Sequence, residues 1–258
     1  MPTNDLPRMF AVRQLFPASP PLDLAAVVSQ EFARAGLPLK PGARIAVAVG
    51  SRGINNLLSV VEAVIEQLKL AGAQPFIVPA MGSHGGATPE GQKQVLAEYG
   101  ITEERLRVGI RPSMAVERLG ETKEGVEVFF SAEALHSDGV VLINRVKPHT
   151  DFTSDKLGSG ILKMMVIGLG KRSGAATFHV AASQFGYERV ILACARVTVK
   201  AAPILCGVAL VENQRHETAR LELLKPDALE KGERKLFGEA SRLMPSLPFD
   251  DIDLLKTG

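Results

Sequence analysis

The side chains in this sequence best suited to moving protons at neutral pH are five histidines: His84, His136, His149, His179 and His216. Two of them directly follow short apolar runs. His84 lies in Gly82-Ser83-His84-Gly85-Gly86, just past residues 75–79 (PFIVP). His149 lies in Asn144-Arg145-Val146-Lys147-Pro148-His149-Thr150, just past residues 140–144 (VVLIN). An imidazole with an ordinary pKa near ~6.5 gives or takes a proton in this range, so two at strand ends can serve one cleft as acid and base. A lone loop histidine is more often a solvated side chain, and position alone leaves both readings open. His136 and His216 fall in polar segments and read as surface residues.

Arg52 stands in Gly50-Ser51-Arg52-Gly53, just past residues 43–49 (ARIAVAV). A guanidinium there suits a carboxylate or phosphate through a two-pronged hydrogen bond, and Ser51 and Lys147 are expected as cofactor-binding residues. A surface pair with a nearby acid is the plainer alternative. Lys163 sits inside an apolar run, Gly160-Ile161-Leu162-Lys163-Met164-Met165. Burying an ammonium is costly unless it is paired, deprotonated or covalently used. The other reading keeps its stem along apolar surface and its head in water. His179, sixteen residues on, reads as a hydrogen-bonded core histidine or, beside a modified lysine, as the single protein nitrogen on a metal.

Nucleotide-loop motifs fail on spacing. Gly168-Leu169-Gly170-Lys171-Arg172-Ser173 has Met165 where a P-loop needs glycine and Arg172 where it needs Ser or Thr. The third glycine of a dinucleotide fingerprint falls one position late, at Gly174. The glycines read instead as sites of close helix packing. No histidine or cysteine spacing matches a standard zinc site, and Cys194 and Cys206 read as buried free thiols.

The elements that must position these residues alternate. Residues 43–49 form a doubly buried strand, 54–70 an amphipathic helix, 75–79 a second strand and 90–99 a helix capped by Thr88-Pro89. Residues 101–136 are less regular, with an alternating strand at 126–130, and 140–144 is another buried strand. Helical periodicity returns at 161–165 and 175–185, 190–192 and 208–211 read as late strands, and 225–244 as a charged amphipathic helix. A short strand at 9–15 and a helix at 22–35 make up the lead-in. The expected fold is α/β: a mostly parallel, Rossmann-like sheet flanked by helices, with a small irregular or antiparallel part. Residues 1–40 are expected to pack on a main domain of 41–246, and 247–258 resemble the start of a further, missing domain.

Composition narrows the function. Thirty Lys and Arg against 28 Asp and Glu leave +2, so no global field recruits nucleic acid or an anionic membrane. The first residues carry no apolar stretch, no run of 18 apolar residues occurs, and a cytoplasmic chain is expected.

Taken in order, NRVKPHTDF, SGILKMMVIGLGK and the following histidine resemble the nickel-dependent lactate racemase family and its 2-hydroxyacid relatives, through that family's N-terminal domain. The GSHGG loop and the strand–Ser–Arg–helix start agree with it. The resemblance implies a nickel-pincer nucleotide, a pyridinium-3-thioamide-5-thiocarboxylic acid mononucleotide, tethered through Lys163 with His179 on nickel. It implies His84 and His149 as the acid/base pair and Arg52 as the carboxylate holder. Hydride leaves to the cofactor while one histidine takes the hydroxyl proton, and return to the other face inverts the centre. Val49 and Gly85 stand where the family commonly has an acid and an arginine, which points to a 2-hydroxyacid other than lactate. The implied partners are the small substrate, the cofactor-synthesis proteins and a C-terminal domain or partner chain. The alternative to this isomerase is a non-catalytic α/β module that binds a nucleotide or carboxylate.

Overall fold

The computed structural model describes residues 10–16, 20–50, 53–149, 154 and 156–252. Five strands form one sheet: β1 (Arg44–Val49), β2 (Gln74–Pro79), β5 (Gly139–Arg145), β6 (Ile204–Glu212) and β7 (Thr218–Leu224). Their spatial order is β2-β1-β5-β6-β7, with β3 (Val116–Glu121) and β4 (Glu127–Ser131) in a separate antiparallel pair. The four strands β2, β1, β5 and β6 run parallel, and β7 is antiparallel to β6. Val49 at the end of β1 pairs with Pro79 of β2 on one side and Ile143 of β5 on the other. The chain leaves β1 toward β2 and then returns across it to β5, so the order reverses at this edge, the place where such sheets bind ligands.

The helices are α1 (Leu24–Ala35), α2 (Leu57–Leu70), α3 (Pro89–Glu98), the short α4 (Glu103–Leu106), α5 (Ala132–Leu135) and α6 (Ile161–Lys163), then α7 (Lys171–Phe185), α8 (Tyr187–Ala201) and α9 (Leu229–Leu243). Because side chains alternate along a strand, each strand feeds two cores. Ile45, Val47 and Val49 of β1 pack with α1 and α2 on one face, whereas Ala46 and Ala48 pack with α7, α8, α9 and β4 on the other. Local chemistry sets the helix starts. Asp23 accepts from Ala26 N–H at 3.0 Å to cap α1, and Thr88 accepts from Gly91 N–H at 3.1 Å to cap α3 ahead of Pro89.

The mostly parallel sheet, its flanking helices and the small antiparallel pair agree with the expectation. Two elements do not. Residues 190–192, expected as a strand, lie inside α8, whose buried Val190, Ile191, Cys194, Ala195 and Thr198 follow helical spacing. The local run of Val, Ile and Leu is β-like, but the longer period decides. Residues 10–15, the described part of the strand expected at 9–15, form no strand and are exposed. Phe10 there meets Phe249 edge to face, and Gln14 donates to Ser246 O at 3.0 Å. Cys194 and Cys206 are buried free thiols, as expected. Among the described residues, no helix is long and apolar enough to cross a membrane.

Candidate functional site

At the carboxyl ends of β2, β1 and β5 lies a cavity of about 460 Å³ whose walls include His84, Asn144, Arg145, Lys147, His149 and Lys163. The histidine loops leave the strands on either side of β1. Adjacent strands lie about 4.8 Å apart, so those loops start about 10 Å from one another, room for a small ligand between them.

The His84 loop is built from glycine. Gly82, Gly85 and Gly86 take φ of 61°, 64° and 66°, left-handed conformations that other residues adopt only at a cost. His84 N–H donates to Met81 O at 3.1 Å, closing the turn. Behind the loop, Gln92 of α3 is fully buried and donates from Nε2 to Gly82 O at 2.9 Å and to His84 O at 3.4 Å. Its Oε1 accepts from Lys171 Nζ at 3.0 Å, and Lys171 also donates to Pro79 O at 2.5 Å. Lys171 is itself fully buried, and burial pulls its pKa from 10.5 down to about 8. Sequence reasoning treated Lys171 as the lysine of a failed phosphate loop and missed this role.

The His149 segment is held by an antiparallel bridge. Lys147 N–H donates to Ser159 O and Ser159 N–H to Lys147 O, both at 2.9 Å. A Cβ on Gly158 would fall 2.3 Å from Lys147 O, so only glycine permits the approach. Burial first, and the neighbouring Arg145 charge second, lower the Lys147 pKa, with Glu212 opposing. Arg145 forms a nearly buried ion pair with Glu212 and donates to Gly53 O at 2.6 Å. Glu212 in turn accepts from Asn55 N–H at 2.9 Å, which ties the loop after β1 to β6.

Lys163 ends α6 and precedes a π-helical turn over Met164–Gly168, in which Leu169 N–H reaches back to Met164 O at 2.8 Å. Such turns widen a helix by one residue and recur at functional sites. Gly168 touches the end of β2: a Cβ there would lie 2.5 Å from Ala80 O, and Gly168 O accepts from Gly82 N–H at 3.0 Å. Asn144 donates from Nδ2 to Gly160 O at 2.7 Å and fixes the near side of the lysine turn. Glu233, fully buried on α9, accepts from Leu162 N–H at 2.9 Å on the far side. The signal for Glu233 is a carboxylate on the apolar stripe of Leu229, Leu236, Phe237 and Ala240, a place where a surface glutamate does not belong.

Of the residues singled out from sequence, His84, His149, Lys147 and Lys163 line the one cavity. His179 is not among its described lining. It is exposed on α7, one turn past Ala175, whose Cβ would sit 3.9 Å from a Cβ at Gly82. Residues four apart share a helix face, so His179 continues the face that meets the His84 loop. Ser51 and Arg52 lie outside the described residues, while Gly50 and Ile54 to either side line the cavity. Among the described residues, no group of three or more His, Cys, Asp or Glu is gathered to hold a metal ion.

Comparison with known proteins agrees with the fold. The family model described as lactate racemase N-terminal domain matches residues 38–187, more than half of the chain. No curated protein matches it. Among solved structures, the lactate racemase apoprotein from Thermoanaerobacterium thermosaccharolyticum is similar, with a TM-score of 0.60 at 14% identity over 83% of this chain. At that identity the likeness is one of fold, and the chain spans 55% of the length of that protein.

Proposed function

Because this chain belongs to the lactate racemase N-terminal domain family, we propose that it is the part of a 2-hydroxyacid racemase or epimerase that carries the acid/base pair and the cofactor lysine. The observation that carries this reading is the single cavity whose lining includes His84, His149 and Lys163.

The residues present suit a nickel-pincer nucleotide. A cavity of about 460 Å³ is within the range that takes a small cofactor. Lys163 on its wall would hold the thioamide, and Lys147 would offer charge to the phosphate. His179 would supply the single protein nitrogen to nickel from the adjoining face of α7. When bound, the group supplies an electrophilic centre that accepts and returns hydride.

This chain's own part is proton handling and orientation. His84 and His149, on loops from opposite sides of β1, each suit the proton of the substrate hydroxyl, one imidazole for each hand of the substrate. Arg52 would hold the substrate carboxylate, and Ser51 would contact the cofactor. Val49 and Gly85 favour a substrate other than lactate. A further domain or partner chain would close the cleft, and the enzyme would work in the cytoplasm.

The test is co-expression with cofactor-synthesis proteins, followed by intact mass, nickel content and a racemisation assay on 2-hydroxyacids. A nucleotide-sized adduct on Lys163 with nickel is the expected result. An unmodified Lys163 without nickel would overturn the cofactor and leave a non-catalytic binding module.

A further inference from the structure

The turn that presents Lys163 opens with two buried residues, Ile161 and Leu162. The first N–H groups of a helix find no partner within it, and when buried they must find one elsewhere. Here the partner comes from the other end of the chain. Leu162 N–H donates to Glu233 Oε2 at 2.9 Å, and Ile161 N–H donates to the same carboxylate. Gly160 makes this possible: a Cβ there would fall 2.3 Å from Glu233 Oε1. Asn144 holds the opposite side of the turn through Gly160 O. The segment carrying Lys163 is therefore clamped between the end of β5 and the middle of α9.

We propose that Glu233 is a positioning residue that sets where Lys163 presents its amine in the cavity, acting through the Ile161 and Leu162 N–H groups. The inference rests on the reading of Lys163 as the cofactor's attachment point. A carboxylate is an expensive way to fill an apolar stripe, and a leucine or methionine would fill it without desolvating a charge. What an apolar residue cannot do is accept from both amides.

The clamp is also poised to respond to pH. Burial raises the Glu233 pKa to about 7, with the two backbone N–H groups opposing the shift. The titratable group facing it from α8 is the Tyr187 phenol, which donates to Gly158 O at 2.7 Å. Arg234 on α9 pairs instead with Glu188 of α8 and Glu230 at 2.9 and 3.3 Å. Arg220 and Lys235 are engaged with Glu222. Ionising Glu233 near neutrality thus strengthens its hold on Ile161 and Leu162, because charged acceptors bind N–H groups more strongly.

The experiment uses the chain without cofactor. Residue-resolved amide exchange is followed by NMR across neutral pH in the wild type and in Glu233→Gln. Acylation of Lys163 by acetic anhydride is read by mass spectrometry against the exposed Lys231. The wild type should show Ile161 and Leu162 gaining protection relative to β5 and β6 as pH rises through about 7. Glu233→Gln should erase that inflection and speed those two amides about tenfold, the scale of one lost charged hydrogen bond. Lys163 acylation should change several-fold with them, while β5 and β6 keep their exchange rates. Unchanged exchange and acylation, or a uniform loosening of the whole domain, would overturn the proposal. If Glu233→Gln does not fold, the wild-type inflection decides alone. If the inflection persists but the loaded enzyme carries no Lys163 adduct, the positioning stands and only the attachment role falls.

Discussion

Lys171 donates to Gln92 Oε1 at 3.0 Å although both side chains are fully buried, and Gln92 passes that hold on to the carbonyls of Gly82 and His84. A cation outside the cavity thereby braces a loop that lines it. Lys171 also occupies the left-handed region at φ 54°, which costs a non-glycine residue about 1–2 kcal/mol and marks a conformation imposed by its surroundings.

The depressed pKa of Lys171 makes stability depend on pH with a definite sign. Below about pH 8 the folded and unfolded chains both hold the proton, and the folded state bears the full desolvation cost. Between about 8 and 10.5 the folded chain releases it first, so stability rises with pH through that window and levels above it. The gain is at most about 3 kcal/mol. Urea titrations of the wild type against Lys171→Met should show this rise only in the wild type. The variant should match or exceed wild-type stability at neutral pH while exchange of the 82–86 amides quickens. A variant that loses stability at neutral pH would make Lys171 a structural strut instead.

Glu233 bends the curve the other way at lower pH. Its folded pKa of about 7 exceeds the ordinary 4.5, so the folded chain binds the extra proton and stability falls as pH rises from about 4.5 to 7. The difference between wild type and Glu233→Gln in chemical unfolding should carry that slope. A flat difference across this window would contradict the burial-driven shift.

His84→Ala and His149→Ala in the loaded enzyme should each lower racemisation at least ~10²-fold, the usual worth of a positioned acid or base. Neither should alter the Lys163 adduct or nickel content, as read by intact mass and metal analysis. Loss of the adduct in either variant would place that histidine in cofactor retention rather than proton transfer.

Gly168→Ala should destabilise the domain by about 1–3 kcal/mol, since the new Cβ would press on Ala80 O at 2.5 Å and neither backbone can yield cheaply. Urea midpoints measure it. An unchanged midpoint would mean the π-helical turn moves freely from the end of β2.

Glu212→Gln removes one member of an ion pair whose side chains are only 11% and 6% exposed. Leaving Arg145 uncompensated should cost roughly 3 kcal/mol and loosen the loop after β1. Limited proteolysis near Gly53–Asn56 reads the second effect. Wild-type stability and protection together would show the pair to be dispensable.

Much of the frame was legible in the sequence because it is written in local periods. The buried runs that become β1, β2 and β5 are bounded by turns, and the capping chemistry of Thr88-Pro89 needs no distant partner. Where two local signals competed, as at 190–192, the β-branched run outweighed the helical spacing of residues farther along, and the strand expectation failed. β7 escaped notice because its sequence, TARLELL, alternates only loosely and owes its pairing to β6.

Residue chemistry nominated His84, His149, Lys147 and Lys163, since their types and strand-end positions are local facts. That these four share one hollow, and that His179 stands outside its described lining, depends on the reversal of strand order between β2 and β5. Lys171 and Glu233 were beyond the reach of spacing: Gln92 lies 79 residues from the first, and Leu162 lies 71 from the second. Lys171 looks like an ordinary surface charge until the helices pack, and Glu233, though it stands on an apolar stripe, shows no partner before then. Burial converts them into braces, because a charge taken out of water must find hydrogen-bonding partners wherever the fold brings them, and those partners belong to the tertiary structure alone.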